Sequence, residues 1–135
     1  NPLPQKGTLF VSVKDSDKAK ILPVIRSFSK QGFKILATSG TAQFLIDGGV
    51  KTKIINKVSQ GSPHCVDALL KDKIDIVINT TETRKSINDS FGIRRTALIK
   101  NIPYSLTVSG ARACINSIKK LKAEDITVSP ITNFH

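Results

Sequence analysis

A chain of 135 residues is sized for one domain with a modest single core, and 21 Lys and Arg against 10 Asp and Glu give it a formal charge of +11. Its two cysteines, Cys65 and Cys114, lie far apart without histidines at metal spacing, so neither a zinc site nor a disulfide framework is indicated. No apolar run reaches membrane-spanning length or resembles a signal peptide, so a cytoplasmic location is the default.

The opening Asn1-Pro2-Leu3-Pro4-Gln5-Lys6-Gly7 has the Pro/Gly character of a linker. With no methionine in the sequence, this predicts a piece of a longer protein, residues 1–7 being a linker and 8–135 the domain. Thr8–Val13 reads as a first strand, closed by the polar Lys14-Asp15-Ser16-Asp17. From Lys18 to Gln31, Ile21, Leu22, Ile25 and Phe28 recur at helical spacing, with Asp17 or Ser16 as cap and Gly32 just past the end. Phe33–Ala37 forms the second strand and runs into Thr38-Ser39-Gly40-Thr41, after which Ala42–Ile46 reads as a short helix closed by Gly48-Gly49. Val50–Val58 gives a third strand and Val58–His64 a polar loop. A helix from Cys65 to Lys71 follows. Lys73–Asn79 is the most apolar run and the best central strand. Thr83–Ser90 reads as a loop or frayed turn and Ile93–Asn101 as a helix stopped by Pro103. Tyr104–Val108 is a fifth strand, Ala111–Leu121 a last helix, and Ile126–Val128 a possible edge segment.

Strands alternating with helices through short loops predict an α/β fold, a small doubly wound, five-stranded parallel sheet with helices on both faces. Ligands bind such sheets at the carboxyl ends of the strands. There stand Ser12, Thr38, Thr41, Lys57, Asn79, Thr80 and Thr81. Thr-Ser-Gly-Thr before a helix is an anion site in kind: backbone N–H groups, hydroxyls and the helix dipole converge, and Gly40 permits close approach. The same residue types also make plain turns and caps. Lys57 supplies a point charge, and Lys18, a cation in a first helical turn, suits a nearby anion better than it suits its own dipole. The charge asks for an acidic partner, but the lysines are scattered. Their densest cluster, Lys119-Lys120-Leu121-Lys122, closes a helix, and six Phe with one Tyr offer no stacking array for nucleic acid. A solvated surface, an anionic small ligand or an acidic neighbouring domain accounts for it equally well.

Motifs in chain order carry a resemblance: Gly32-Phe33 with Ala37–Ala42, Asn56-Lys57-Val58 with Gly61–His64, Ile78–Thr81, and Ile93–Leu98. From about Lys6 to Leu121 the chain resembles the C-terminal allosteric domain of the bacterial carbamoyl-phosphate synthase large subunit, of the methylglyoxal-synthase-like fold family. The resemblance implies a non-catalytic domain that binds a nucleoside monophosphate of UMP or IMP type. Its phosphate would lie on Lys18, Thr38, Ser39, Gly40, Thr41, Lys57, Thr80 and Thr81, and its ribose and base on Ser12, Val58, Asn79 and Ile93. It implies no cofactor for this segment. The parent is implied to be an ATP-dependent ligase of pyrimidine and arginine biosynthesis, using Mg2+ or Mn2+ and K+ to make carbamoyl phosphate from glutamine or ammonia and bicarbonate. Its implied partners are the rest of the large subunit and the glutaminase small subunit, not nucleic acid or membrane.

A methylglyoxal synthase would place a carboxylate base where Pro63 stands; His64 could substitute in principle, while Asp67 is expected to face solvent. A nucleic-acid-binding module is the other alternative. The family resemblance also implies an ornithine region at Tyr104 and Thr107. Leu106 stands where a hydroxyl is expected, so weak ornithine binding follows unless Leu106 is an inward position of strand five.

Overall fold

The computed structural model describes residues 3–80 and 84–133. Strands β1 (Thr8–Ser12), β2 (Lys34–Ala37), β3 (Lys53–Ile54), β4 (Ile76–Asn79) and β5 (Tyr104–Ser105) alternate with helices α1 (Lys18–Lys30), α2 (Ser39–Asp47), α3 (Cys65–Leu70), α4 (Arg84–Ile99) and α5 (Val108–Asn133). Every strand pair is parallel, in the order β3-β2-β1-β4-β5. No helix among the described residues is long and apolar enough to cross a membrane.

The period-2 pleat sorts the sheet's side chains between two cores. Leu9, Val11, Ile76 and Ile78 turn to one face, where Ile21, Ile25 and Phe28 of α1, Leu45 of α2 and Ile115 and Ile118 of α5 cover them. Phe10 and Val77 turn to the other, under Cys65 and Leu69 of α3 and Ile93 and Ala97 of α4. Strands buried on both faces need apolar residues throughout, which is why β4 is the most apolar run in the chain.

One stop signal ends four helices. After α1, Phe33 N–H reaches Phe28 O (3.1 Å) and Gly32 N–H reaches Ser29 O (3.0 Å), a Schellman motif whose apolar clasp is the edge-on Phe28–Phe33 pair, 5.3 Å between centroids. Val50 and Gly49 repeat it on Leu45 and Ile46, Lys73 and Asp72 on Ala68 and Leu69, and Ile102 and Asn101 on Ala97 and Leu98. The left-handed residue is Gly32 (φ 96°) or Gly49 (φ 85°) in two cases and Asp72 (φ 56°) or Asn101 (φ 57°) in the others.

Four expectations are corrected. Residues 84–92 are helix rather than loop: Ile93 and Ala97, four apart and buried, anchor α4, and residues of ordinary helix propensity extend it backwards. Ile126–Val128 continues α5 instead of forming an edge segment. Strands three and five shrink to two residues each because each is an edge with one neighbour; beyond Ile54 the chain turns away to bridge Asn56 with His64. Leu106 lies past β5 and is 49 % exposed, so it is not an inward strand position.

Candidate functional site

The chain builds β1, β2 and β3 outward in one direction and then returns to lay β4 on the free side of β1. Order therefore reverses between β1 and β4, and the crevice outside their carboxyl ends is the expected ligand position. A cleft of about 210 Å³ opens there. Of the residues picked from the sequence, Ser12, Lys18, Thr38, Gly40, Thr41, Lys57, Val58, Asn79, Thr80 and Ile93 line it. Val13, Lys14, Asp15, Cys65 and Ser90 line it as well and were not foreseen.

Among the described residues the buried polar side chains are Thr38, Thr41, Asn79 and Thr80, and all four line this cleft. Buried polar groups must be hydrogen-bonded, and how these are bonded fixes what they can still do. Thr41 Oγ1 accepts from Val13 N–H (3.1 Å) and Thr80 Oγ1 accepts from Lys14 N–H (2.9 Å). The backbone leaving β1 is thus clamped by two hydroxyls used as acceptors. Each keeps its own O–H to donate. Ser12 Oγ and Thr38 Oγ1 share a third bond at 3.0 Å. Asn79 Nδ2 donates to Tyr104 Oη (2.8 Å), and burial raises the Tyr104 phenol above its ordinary pKa, so it stays neutral behind the cleft.

Helix α2 points its N-terminus at the same place. Thr38 is its N-cap but makes no side-chain cap, and the first helical bond is Ala42 N–H to Thr38 O (2.8 Å). The Ser39-Gly40-Thr41 turn therefore has N–H groups with no intrahelical partner. Lys18 Nζ hangs over it, 3.5 Å from where a Cβ on Gly40 would stand, an ordinary contact distance. Lys18 also pairs with Asp15 at 2.6 Å. The hydrogen bond from Lys18 and its charge hold the Asp15 carboxyl below the usual carboxylate range. Lys57 precedes a 3-10 turn, Val58–Gln60, and is fixed from its backbone, whose N–H donates to Gln60 Oε1 (2.7 Å); its side chain is exposed.

The opposite wall is apolar: Val58, Ile93 and Cys65. Burial pushes the Cys65 thiol up to about 11, so it is a neutral wall rather than a nucleophile. Hydroxyl donors, unpaired helix N–H groups and two ammoniums facing an apolar wall suit an anion attached to a flat, weakly polar body. They do not suit a metal ion, which would require a cluster of carboxylates or imidazoles.

The remaining candidates fall elsewhere. Ser39 is exposed in the first turn of α2 and Thr81 lies outside the described residues. Tyr104 stands behind Asn79, and Thr107 Oγ1 accepts from Gly110 N–H (3.0 Å), capping α5. Pro63, His64 and Asp67 line a separate, larger groove along β2, β3 and α3. That groove lacks the hydroxyl cluster and the N-terminus of α2. Asp67 does not simply face solvent: its carboxylate accepts from His64 N–H (3.0 Å) while His64 Nδ1 accepts from Asp67 N–H (3.3 Å), a reciprocal cap on α3.

A family model described as MGS-like domain matches residues 20–106. The chain is 46% identical to the carbamoyl phosphate synthase large chain of Rhizobium meliloti (strain 1021), over 98% of its own length and 11% of that relative's. It is likewise 46% identical to the protein of that name from Methanobrevibacter smithii, over 96% of its length and 12% of the relative's. It therefore spans about a ninth of these relatives. In fold it is similar to the crystal structure of methylglyoxal synthase from Elizabethkingia anophelis NUHP1, with a TM-score of 0.63 at 18% identity, covering 84% of this chain and 79% of that one.

Proposed function

The chain belongs to the MGS-like domain family, and from that premise we propose that it is the regulatory domain of a carbamoyl phosphate synthase large chain, its cleft holding a nucleoside monophosphate. The observation that carries this reading is the concentration of the buried polar residues, Thr38, Thr41, Asn79 and Thr80, in one cleft beneath Lys18 and Lys57. The phosphate sits at the N-terminus of α2 and receives the spare protons of Thr41 and Thr80, backbone N–H bonds from the Gly40 turn and the charge of Lys18 and Lys57. The base lies against Val58 and Ile93, with Ser12 and Asn79 near the ribose. Synthesis of carbamoyl phosphate, with its ATP and metal ions, and the glutaminase partner belong to the remainder of the cytoplasmic synthase.

The domain itself performs no catalysis in this reading. Among the described residues Asp15 is the carboxylate lining the cleft, and its lowered pKa makes it a weak base at neutral pH. His64 is engaged in capping α3 on another groove. A methylglyoxal synthase reaction would lack its proton acceptor. Ornithine is a weak effector here, since Leu106 is exposed and offers no hydrogen bond beside Tyr104.

The test is synthase activity of the full-length enzyme titrated with UMP and with IMP, for wild type and Lys57→Ala. One nucleotide should change wild-type activity, and the variant should need about tenfold more of it or greater, the worth of a lost charge-assisted bond. No response to either nucleotide in wild type would contradict the assignment.

A further inference from the structure

Helix α4 has two faces with different employment. Ser90 and Ile93 line the cleft, and Ile93 and Ala97 are buried in the core beneath α3. The outer face carries Phe91, Arg95, Leu98 and Ile99, at spacings of four, seven and eight residues, which gathers them on one stripe of a helix. Phe91 is 67 %, Leu98 77 % and Ile99 70 % exposed, and Arg94 and Arg95 are exposed with them. Single exposed apolar residues are ordinary, but three large ones on one helical stripe with an arginine at their centre have the composition of an interface core.

We propose that this stripe docks on another part of the same synthase polypeptide, at an apolar surface presenting carboxylates to Arg94 and Arg95, and that α4 carries the state of the cleft to that contact. The inference rests on the reading of the cleft as a nucleotide site. Two observations choose the occupant. About eight-ninths of each curated relative's length lies outside the matched segment, so most of such a polypeptide is available to cover the stripe. A second copy of this domain is the poorer partner: a two-fold contact centred on the stripe sets Arg95 against Arg95, in a chain already carrying +11. The coupling is short-range. Ile93 and Phe91 are two residues apart, so a ligand that seats against Ile93 presses on the inner side of the turn whose outer side is docked.

The experiment uses the full-length synthase with Leu98→Asp, Arg95→Glu and Leu98→Cys. Nucleotide binding, measured by calorimetry, should stay within threefold of wild type in Leu98→Asp and Arg95→Glu, while the change in activity at saturating nucleotide falls at least fivefold. Leu98→Cys, read peptide by peptide by mass spectrometry, should react with maleimide at least tenfold more slowly than free glutathione. Unchanged nucleotide response in both charge variants, or labelling at the glutathione rate, would overturn the proposal. Protection lost on dilution together with a halving of mass would assign the stripe to a second copy and overturn it equally. Wild-type synthase that binds no nucleoside monophosphate would instead remove the reading of the cleft, an outcome the calorimetry registers separately.

Discussion

Thr41→Val isolates one hydroxyl without changing the shape of the side chain. Thr41 is 3 % exposed, and its Oγ1 is the acceptor for Val13 N–H at 3.1 Å in a buried setting. Valine leaves that N–H without a partner, which costs about 1–3 kcal/mol of stability. For a domain of this size the melting temperature should drop by roughly 4–12 °C, taking about 4 °C per kcal/mol. The same change removes the O–H that Thr41 has left to donate. Lost to a phosphate oxygen, such a bond is worth about 1.5–3 kcal/mol, so nucleotide affinity should fall roughly 10- to 150-fold. Thr41→Ser keeps the hydroxyl and should bind within a few-fold of wild type. Lys57→Ala, at an exposed side chain held from its backbone, should lose affinity with no change in melting temperature. Calorimetric titration with UMP and IMP beside thermal melts checks all three. If Thr41→Val melts early yet binds its nucleotide as wild type does, the hydroxyl serves the β1 exit alone and the reasoning about its proton fails.

Asp15→Asn removes a carboxylate from the cleft mouth and frees Lys18, so a mononucleotide should bind more tightly than to wild type; weaker binding in a calorimetric titration would show that the Asp15–Lys18 pair positions the ammonium instead. The Cys65 thiol is raised from 9.0 to about 11, which makes it a group whose protonated form the fold favours: its contribution is complete below about pH 9 and is lost as pH rises through 11. Denaturant melts between pH 8 and 11 should therefore show about 2–3 kcal/mol more loss in wild type than in Cys65→Ala, and parallel pH profiles would contradict it. Gly32→Ala meets no atom within 4 Å, so its cost is that of a left-handed backbone at φ 96°, about 1–2 kcal/mol by denaturant melt; an unchanged midpoint would mean that the α1 terminus relaxes.

The parts of the fold legible in the sequence are those where one signal is sufficient. Gly32 and Gly49 announce helix ends because only glycine takes their backbone angles freely, and Ile76-Val77-Ile78 announces a central strand because both faces are covered. Asp72 and Asn101 make the same stop without glycine, so their helices end on a signal the sequence carries only weakly. The first half of α4 offers only the pair Ile87 and Phe91 in an otherwise polar run, since its anchors Ile93 and Ala97 come late. Strand-end reasoning reached most of the cleft because parallel topology gathers strand ends by construction. It missed Val13, Lys14 and Asp15, which enter through their position past β1, and Cys65, whose reason for being there is the second core. The clamping of that backbone by Thr41 and Thr80 joins residues 28 and 66 positions apart, a pairing no local pattern encodes.

The most direct measurement is a calorimetric comparison of a nucleoside monophosphate with its unphosphorylated nucleoside on this chain. Four buried polar residues gathered in one cleft with the N-terminus of α2, Lys18 and Lys57 predict that the monophosphate binds and that the nucleoside binds at least 100-fold more weakly. Equal affinity for the two, or heat from neither, would contradict a phosphate site in this cleft.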